Sequence, residues 1–221
     1  MKRTSFLLLA ALFAVAVPAQ ANHRPGHVGG GGGGGNFTAA AKPSPIVFGA
    51  STIVSGRLSG QNNAGRQVTL AEDPFPYGDG YTNIATVTTA ANGSYAFPRL
   101  FPPTNRNYRA SVPGEQAFTG VRVMMRVSFV VGDSTPNPGQ RVGFTGFVAP
   151  KHDGRTVLVQ RRSATGRWGT VKRTLLKATT GNRSRYSTSL VIRRTGTYRV
   201  RAGADGDHIT GTSRTRTLSV G

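Results

Sequence analysis

Four histidines, eight carboxylates and no cysteine hold most of the ionisable chemistry open to this 221-residue chain outside its lysines and arginines. Without cysteine there is no thiol nucleophile, no disulfide and no cysteine for a lipid anchor. The short motifs that build other active sites are missing too: the sequence has no G-x-S-x-G elbow, S-x-x-K, H-E-x-x-H or P-loop. Glu72 and Asp73 are adjacent, but neighbours on a strand face opposite ways, and AEDPFPYGDG reads as a turn-rich loop rather than an acid–base pair. No catalytic residue is assigned, and the expected function is not enzymatic.

The histidines give little more. His23 and His27 flank a segment that runs into seven consecutive glycines, Gly29 to Gly35, where nothing orients a metal ligand. Cleavage after Ala21 would make His23 the second mature residue, beside a free amine, an arrangement that would at most hold copper loosely and is not taken as a site. His152 and His208 fall in the later half. Asp205-Gly206-Asp207 resembles part of a calcium loop but lacks the later carboxylates that complete one, so it reads as a polar turn joining the last two strands. Trp168, the single tryptophan, is expected in the core or at a strand edge rather than on a sugar-binding surface. No metal site and no cofactor are expected. Asn36, Asn92 and Asn182 open N-x-S/T triplets, which matter only in a glycosylating host.

Charge is the stronger signal. The formal net charge is +20, and it is uneven. From Phe129 onward there are 17 lysines and arginines against four aspartates, whereas Ser44 to Ser128 has seven arginines against four acids. That asymmetry marks the later half as the side for an anionic partner; solubility of an exported protein is the plainer alternative. The candidate polyanion-binding residues are Arg162, Arg199, Arg201, Arg214 and Arg216. The first three follow from parity: if Val157, Val159, Tyr198 and Val200 point inward, Arg162, Arg199 and Arg201 share the outer face. Arg214 and Arg216 share parity with Leu218 and Val220, so a bulge must reset the phase or one pair is misplaced.

The elements that would carry these residues are short strands. TIVSGRLSG, RQVTLAE, TNIATVTT, GSYAFPRL, NYRASV and GVRVMMRVSF alternate with period two, and no segment keeps a helical period. In Val121 to Val127 the odd positions are apolar and Arg122 and Arg126 fall on even ones. The later half continues with RVGFTGFVAP, RTVLVQRR, YSTSLVIR, TYRVRA and RTRTLSV. The core expected from this alternation is Val68, Leu70, Tyr95, Phe97 and Tyr108 in the first half. In the second it is Val157, Val159, Tyr186, Leu190, Tyr198 and Val200.

The two halves repeat. Gly56, Gly65-Arg66-Gln67-Val68, Thr86-Val87, Tyr95 and Tyr108-Arg109 align with Gly146, Gly154-Arg155-Thr156-Val157, Thr170-Val171, Tyr186 and Tyr198-Arg199. From about Ser44 to Val220 this pattern resembles the bacterial immunoglobulin-like repeats of secreted and surface proteins, of actinobacterial type. The first copy, through TTAANGSYAFPRLFPPTNRNYRA, is also similar to carboxypeptidase-regulatory-like sandwiches. The resemblance implies two tandem all-β immunoglobulin-like sandwiches, and it implies a fold better than a function. It also implies that Tyr108 and Tyr198 bury their rings in the core, as in an immunoglobulin tyrosine corner, where the hydroxyl reaches backbone.

The expected organisation is a signal peptide over 1–21, with Lys2 and Arg3 before an apolar run too short to span a bilayer. A disordered glycine-rich spacer over 22–43 follows, then sandwiches over 44–128 and 129–221, joined stiffly near Arg126 to Phe129. The chain is expected to be secreted or at the cell envelope, without a transmembrane segment and without an intracellular nucleic-acid role. Its partner is unknown, with an anionic wall polymer or another surface protein as candidates.

Overall fold

The computed structural model describes residues 36–221. The proposed signal peptide, the glycine run, His23 and His27 lie outside the described residues. Among the described residues there is no helix, and none therefore long and apolar enough to cross a membrane.

Nine strands precede the junction: β1 (Phe37–Lys42), β2 (Ile46–Val47), β3 (Ile53–Leu58), β4 (Gln67–Pro74), β5 (Thr82–Thr88), β6 (Ser94–Ala96), β7 (Arg106–Val112), β8 (Glu115–Val121) and β9 (Val123–Met124). Ten follow it: β10 (Arg126–Val127), β11 (Val130–Val131), β12 (Gln140–Ala149), β13 (Thr156–Arg162), β14 (Trp168–Leu175), β15 (Lys177–Ala178), β16 (Ser184–Ile192), β17 (Gly196–Ala202), β18 (Gly211–Thr212) and β19 (Arg216–Leu218). The first sandwich packs sheet β1-β3-β6 on sheet β5-β4-β7-β8. The second repeats that order, with β10-β12-β16-β15 against β14-β13-β17-β18, β11 also pairing β12 and β19 also pairing β17. Strands adjacent in sequence thus switch sheets between β3 and β4 and again between β12 and β13, which is the immunoglobulin-like Greek key.

Period-two alternation sets the cores. β7 and β17 have the same succession of burial, with Tyr108, Ala110 and Val112 inward in one and Tyr198, Val200 and Ala202 inward in the other. Every residue expected in the core is buried except Leu190, which is partly buried against the second core. β4 and β13 also share a defect: their pairing with the next strand slips between Leu70 and Ala71 in one and between Val159 and Gln160 in the other. The slip lets one residue change faces without breaking the strand.

The repeated glycine and tyrosine explain each other. Gly56 lies opposite Tyr95, and Gly146 opposite Tyr186. The Tyr95 hydroxyl donates to the Thr38 carbonyl at 2.5 Å, and that of Tyr186 to the Ser128 carbonyl at 2.6 Å. A Cβ on Gly56 would meet the Thr38 carbonyl and lie 2.6 Å from the Tyr95 hydroxyl; on Gly146 it would meet the Ser128 carbonyl and lie 2.5 Å from that of Tyr186. The hydroxyl-to-backbone bond expected of Tyr108 and Tyr198 therefore belongs to Tyr95 and Tyr186. The reason is the glycine: with no side chain at Gly56 or Gly146, the tyrosine ring crosses the intervening β3 or β12 and reaches the carbonyl beyond it.

Three further expectations are corrected. Residues 37–42, placed in the spacer, form β1, because FTAAAK pairs along all of β3 and buries Phe37 and Ala41. The second sandwich starts ahead of residue 129: Val123 belongs to the first core, Met125 to the second, and Arg126–Val127 already pairs β12. The Thr86-Val87 and Thr170-Val171 landmarks do not coincide, since Thr86 lies opposite Thr69 whereas Arg173 lies opposite the equivalent Leu158.

The junction is stitched. β2 pairs β9 in parallel, and Ile209 continues the seam by donating to the Val123 carbonyl at 2.8 Å and accepting from Met125 at 3.2 Å. Asn105 receives the turn after β17, its backbone N–H donating to the Asp207 carbonyl at 2.8 Å and its side-chain amide to that of Gly206 at 3.2 Å.

Candidate functional site

Of the five arginines expected on one face, the sheet brings three together. β13 and β17 pair with Gln160 opposite Arg199 and Leu158 opposite Arg201. Because Val157, Val159, Tyr198 and Val200 are buried, those four and Arg162 share the outer side. β14 adds a fourth arginine that parity alone does not reveal. The slip at Val159/Gln160 places Arg173 opposite Leu158, in one cross-strand row with Arg201. Sequence could have found Arg173 only by knowing that slip.

Arg214 and Arg216 fare differently. Between Arg201↔Thr212 and Tyr198↔Arg216, β17 advances three residues while the opposite chain advances four. The extra residue falls between β18 and β19, where Arg214 stands exposed outside the ladder. It resets the phase so that Leu218 is fully buried, and Arg216, opposite inward Tyr198, leaves the arginine face. Arg216 instead lines a cleft with Val130, Val131 and Ser134.

The face is electrically one-sided. Among the described residues no carboxylate lies within ion-pair distance of Arg162, Arg173, Arg199 or Arg201. Burial, and then the charge of Arg201, lowers the Arg199 pKa from an arginine's ordinary value. Arg199 is held in place: its Nε donates to Gln160 Oε1 at 2.9 Å, and its guanidinium lies 4.2 Å from the centre of the Trp168 ring. Trp168 is accordingly a strand-edge platform for an arginine. The first sandwich repeats the stack, with Arg109 4.8 Å from the Tyr81 ring centre.

A second constellation was missed in sequence. His152, Asp205, Asp207 and His208 converge, with a ligand atom of each within 4.8 Å of the others. Asp205-Gly206-Asp207 does form the expected turn between β17 and β18, closed by Asp205 N–H donating to the His208 carbonyl and His208 N–H donating to Asp205 Oδ1. What sequence did not show is that His152, from the loop after β12, reaches the same point: its Nε2 lies 2.8 Å from Asp205 Oδ2. Arg155 Nη1 reaches that same oxygen at 2.9 Å from the solvent side. Burial, reinforced by a hydrogen bond to Asp207, pushes the Asp205 carboxyl above its ordinary value. Burial also acts against ionisation of Asp207, but hydrogen bonding with Asp205 leads the causes that hold it below its ordinary value. The carboxylates of Glu72 and Asp73 do not join any such group: both lie in β4, and Glu72 pairs with Arg106.

No family model matches the chain, and no curated protein does. Among solved structures it is similar to bovine butyrophilin, with TM-score 0.40 and 12% identity over 85% of this chain and 100% of that one. It is also similar to the ectodomain of the teleost fish polymeric Ig receptor, with TM-score 0.34 and 11% identity over 79% and 96% of the two chains. Likeness this loose carries no argument about function. The immunoglobulin-like, all-β tandem fold stands on the strand order and on the two cores.

Proposed function

We propose that the chain is an exported, non-enzymatic interaction module of the cell envelope or extracellular space, and that its second sandwich binds acidic polymers. One observation supports the polymer reading: Arg162, Arg173, Arg199 and Arg201 share one sheet face without a carboxylate among them. Guanidinium groups suit repeated phosphate or carboxylate groups because each presents a planar fork of donors. Spread over adjacent strands, they meet a linear polymer at several points rather than enclosing one small anion. The leader-like sequence over 1–21 supports export, and the repeat pattern supports a surface role of the kind its relatives by resemblance have.

The test is retention of the full chain on a heparin column under a salt gradient. Changing Arg162, Arg173, Arg199 and Arg201 to serine is expected to move elution to low salt. The salt dependence should fall by about one unit of log–log slope for each arginine–anion pair removed. Changing Arg57 and Arg66 of the first sandwich is expected to leave elution nearly unmoved. Losses in proportion to the number of arginines removed would reduce the effect to net charge.

A further inference from the structure

Consider which ring nitrogens of the junction histidines carry hydrogen. His152 Nδ1 lies 2.8 Å from the Pro150 carbonyl, and His208 Nε2 lies 2.8 Å from the Pro103 carbonyl. A carbonyl only accepts, so each of these nitrogens donates. In the neutral rings the lone pairs are thereby left on His152 Nε2 and His208 Nδ1, and both face Asp205 and Asp207. His208 is buried, its side chain 2% exposed, and its Nδ1 lies 3.1 Å from Asp207 Oδ1 and 3.8 Å from Asp205 Oδ1 without a hydrogen bond to either. Arg155 offsets the charge on Asp205 Oδ2 from the solvent side, but no cation faces the buried lone pair of His208, which repels Asp207 Oδ1 unless something positive stands between them.

We infer that His152, Asp205, Asp207 and His208 form a binding site for one divalent ion of the zinc class, placed where the second sandwich docks on the first. Donation of the remote ring N–H to a backbone carbonyl is the usual outer support of a metal-bound imidazole, because it fixes both tautomer and ring plane. Here both rings have it. Tetrahedral bonds of about 2.0–2.2 Å set neighbouring ligand atoms about 3.4 Å apart. The nearest separations are 2.8, 3.1 and 3.8 Å, counting both Asp205 oxygens, and one ligand atom from each residue falls within 4.8 Å of the others, so small side-chain rotations bring the set to that value. Two imidazoles with two carboxylates suit zinc, whereas calcium and magnesium take oxygen alone. Two carboxylates also neutralise the ion. Asp207, with its side chain 37% exposed, is the open side through which the ion enters.

The site couples to the interface. Pro103, which orients His208, belongs to the first sandwich, and the Phe48 ring packs on His208 at 6.1 Å between centres. Gly206, between the two aspartates, lies against Phe75, where a Cβ would clash with the ring. The ion therefore finds its ligands set only when the sandwiches are docked, and binding it holds them so.

The experiment titrates the full chain, stripped with a chelator, with zinc chloride by calorimetry, and with cobalt chloride by visible absorption. One ion per chain and the intense absorption of tetrahedral cobalt are expected. At a hundredfold excess over Kd, the melting midpoint should rise by about 5 to 10 °C. His152→Gln and Asp207→Asn, each checked for folding by circular dichroism, should weaken binding at least tenfold. His23→Gln with His27→Gln should change neither stoichiometry nor affinity. A folded wild-type chain that takes up no stoichiometric zinc or cobalt overturns the inference. So does affinity unchanged in the two junction variants, or affinity lost only in the tail variant.

Discussion

Where the second sandwich carries Arg162, the first carries Asp73; Ser111 stands in place of Arg201, and Thr86 in place of Arg173. Inside, the same comparison gives near identity: Gly56 with Tyr95 and Thr38 on one side, Gly146 with Tyr186 and Ser128 on the other. Even the slip in β4 and β13 and the stacked arginine of β7 and β17 recur. The comparison teaches that this fold constrains the inward residues of a strand tightly and its outward residues hardly at all. Inward groups are fixed by close packing, so a change of volume is felt at once. Most outward groups meet water, with Asp73 a buried exception, and charge there is free to follow the partner.

If the cores are equivalent, equal truncations should cost the same in both. Tyr198→Ala and Tyr108→Ala are each expected to lose about 3–5 kcal/mol, the largest effect available. Trp168, the single tryptophan, reports the second sandwich by fluorescence in a denaturant titration, and total circular dichroism reports both. A second-sandwich transition left in place by Tyr198→Ala would break the equivalence. Burial pushes the Tyr108 phenol up to about 12 and raises that of Tyr198 as well.

The lock is next in size. Gly146→Ala and Gly56→Ala should each cost about 1–3 kcal/mol through overpacking against the Ser128 or Thr38 carbonyl and the tyrosine hydroxyl. Removing the hydroxyl by Tyr186→Phe should cost about 1 kcal/mol alone. It should also relieve part of the Gly146→Ala penalty, because both changes act on the same close approach. Full additivity would show that the carbonyl alone makes the glycine necessary.

The smallest effect sharpens the comparison outside the core. Replacing Trp168 by leucine removes the platform under Arg199 and should cost about 0.5–1 kcal/mol, with Tyr81→Leu under Arg109 costing less. Chemical denaturation with precision of a few tenths of a kcal/mol separates the two. A larger loss at Tyr81 would reverse the order of the two stacks.

Much of the fold was open to inspection in the chain because alternation is a property of consecutive residues. Val121 to Val127 shows why: apolar odd positions and arginine at 122 and 126 give the facing directly, although the segment divides among β8, β9 and β10. The candidate site was only partly open. Arg199 and Arg201 follow from Tyr198 and Val200 beside them, but Arg173 and Arg216 depend on irregularities in pairing with other strands. A one-residue slip reverses every side chain beyond it.

By itself, then, the sequence determined the all-β class, the twofold repeat, the inward residues and the uneven charge, each of which is written in short-range spacing or in composition. Only the tertiary structure decided that Tyr95 and Tyr186 bond the Thr38 and Ser128 carbonyls, and which arginines share a face. It alone brought His152 to Asp205, Asp207 and His208, and put Pro103 of the other sandwich behind His208. The physical reason is common to all of them. Each depends on which distant segments are adjacent and in what register, and that is settled by packing two sheets, and then two sandwiches, against each other.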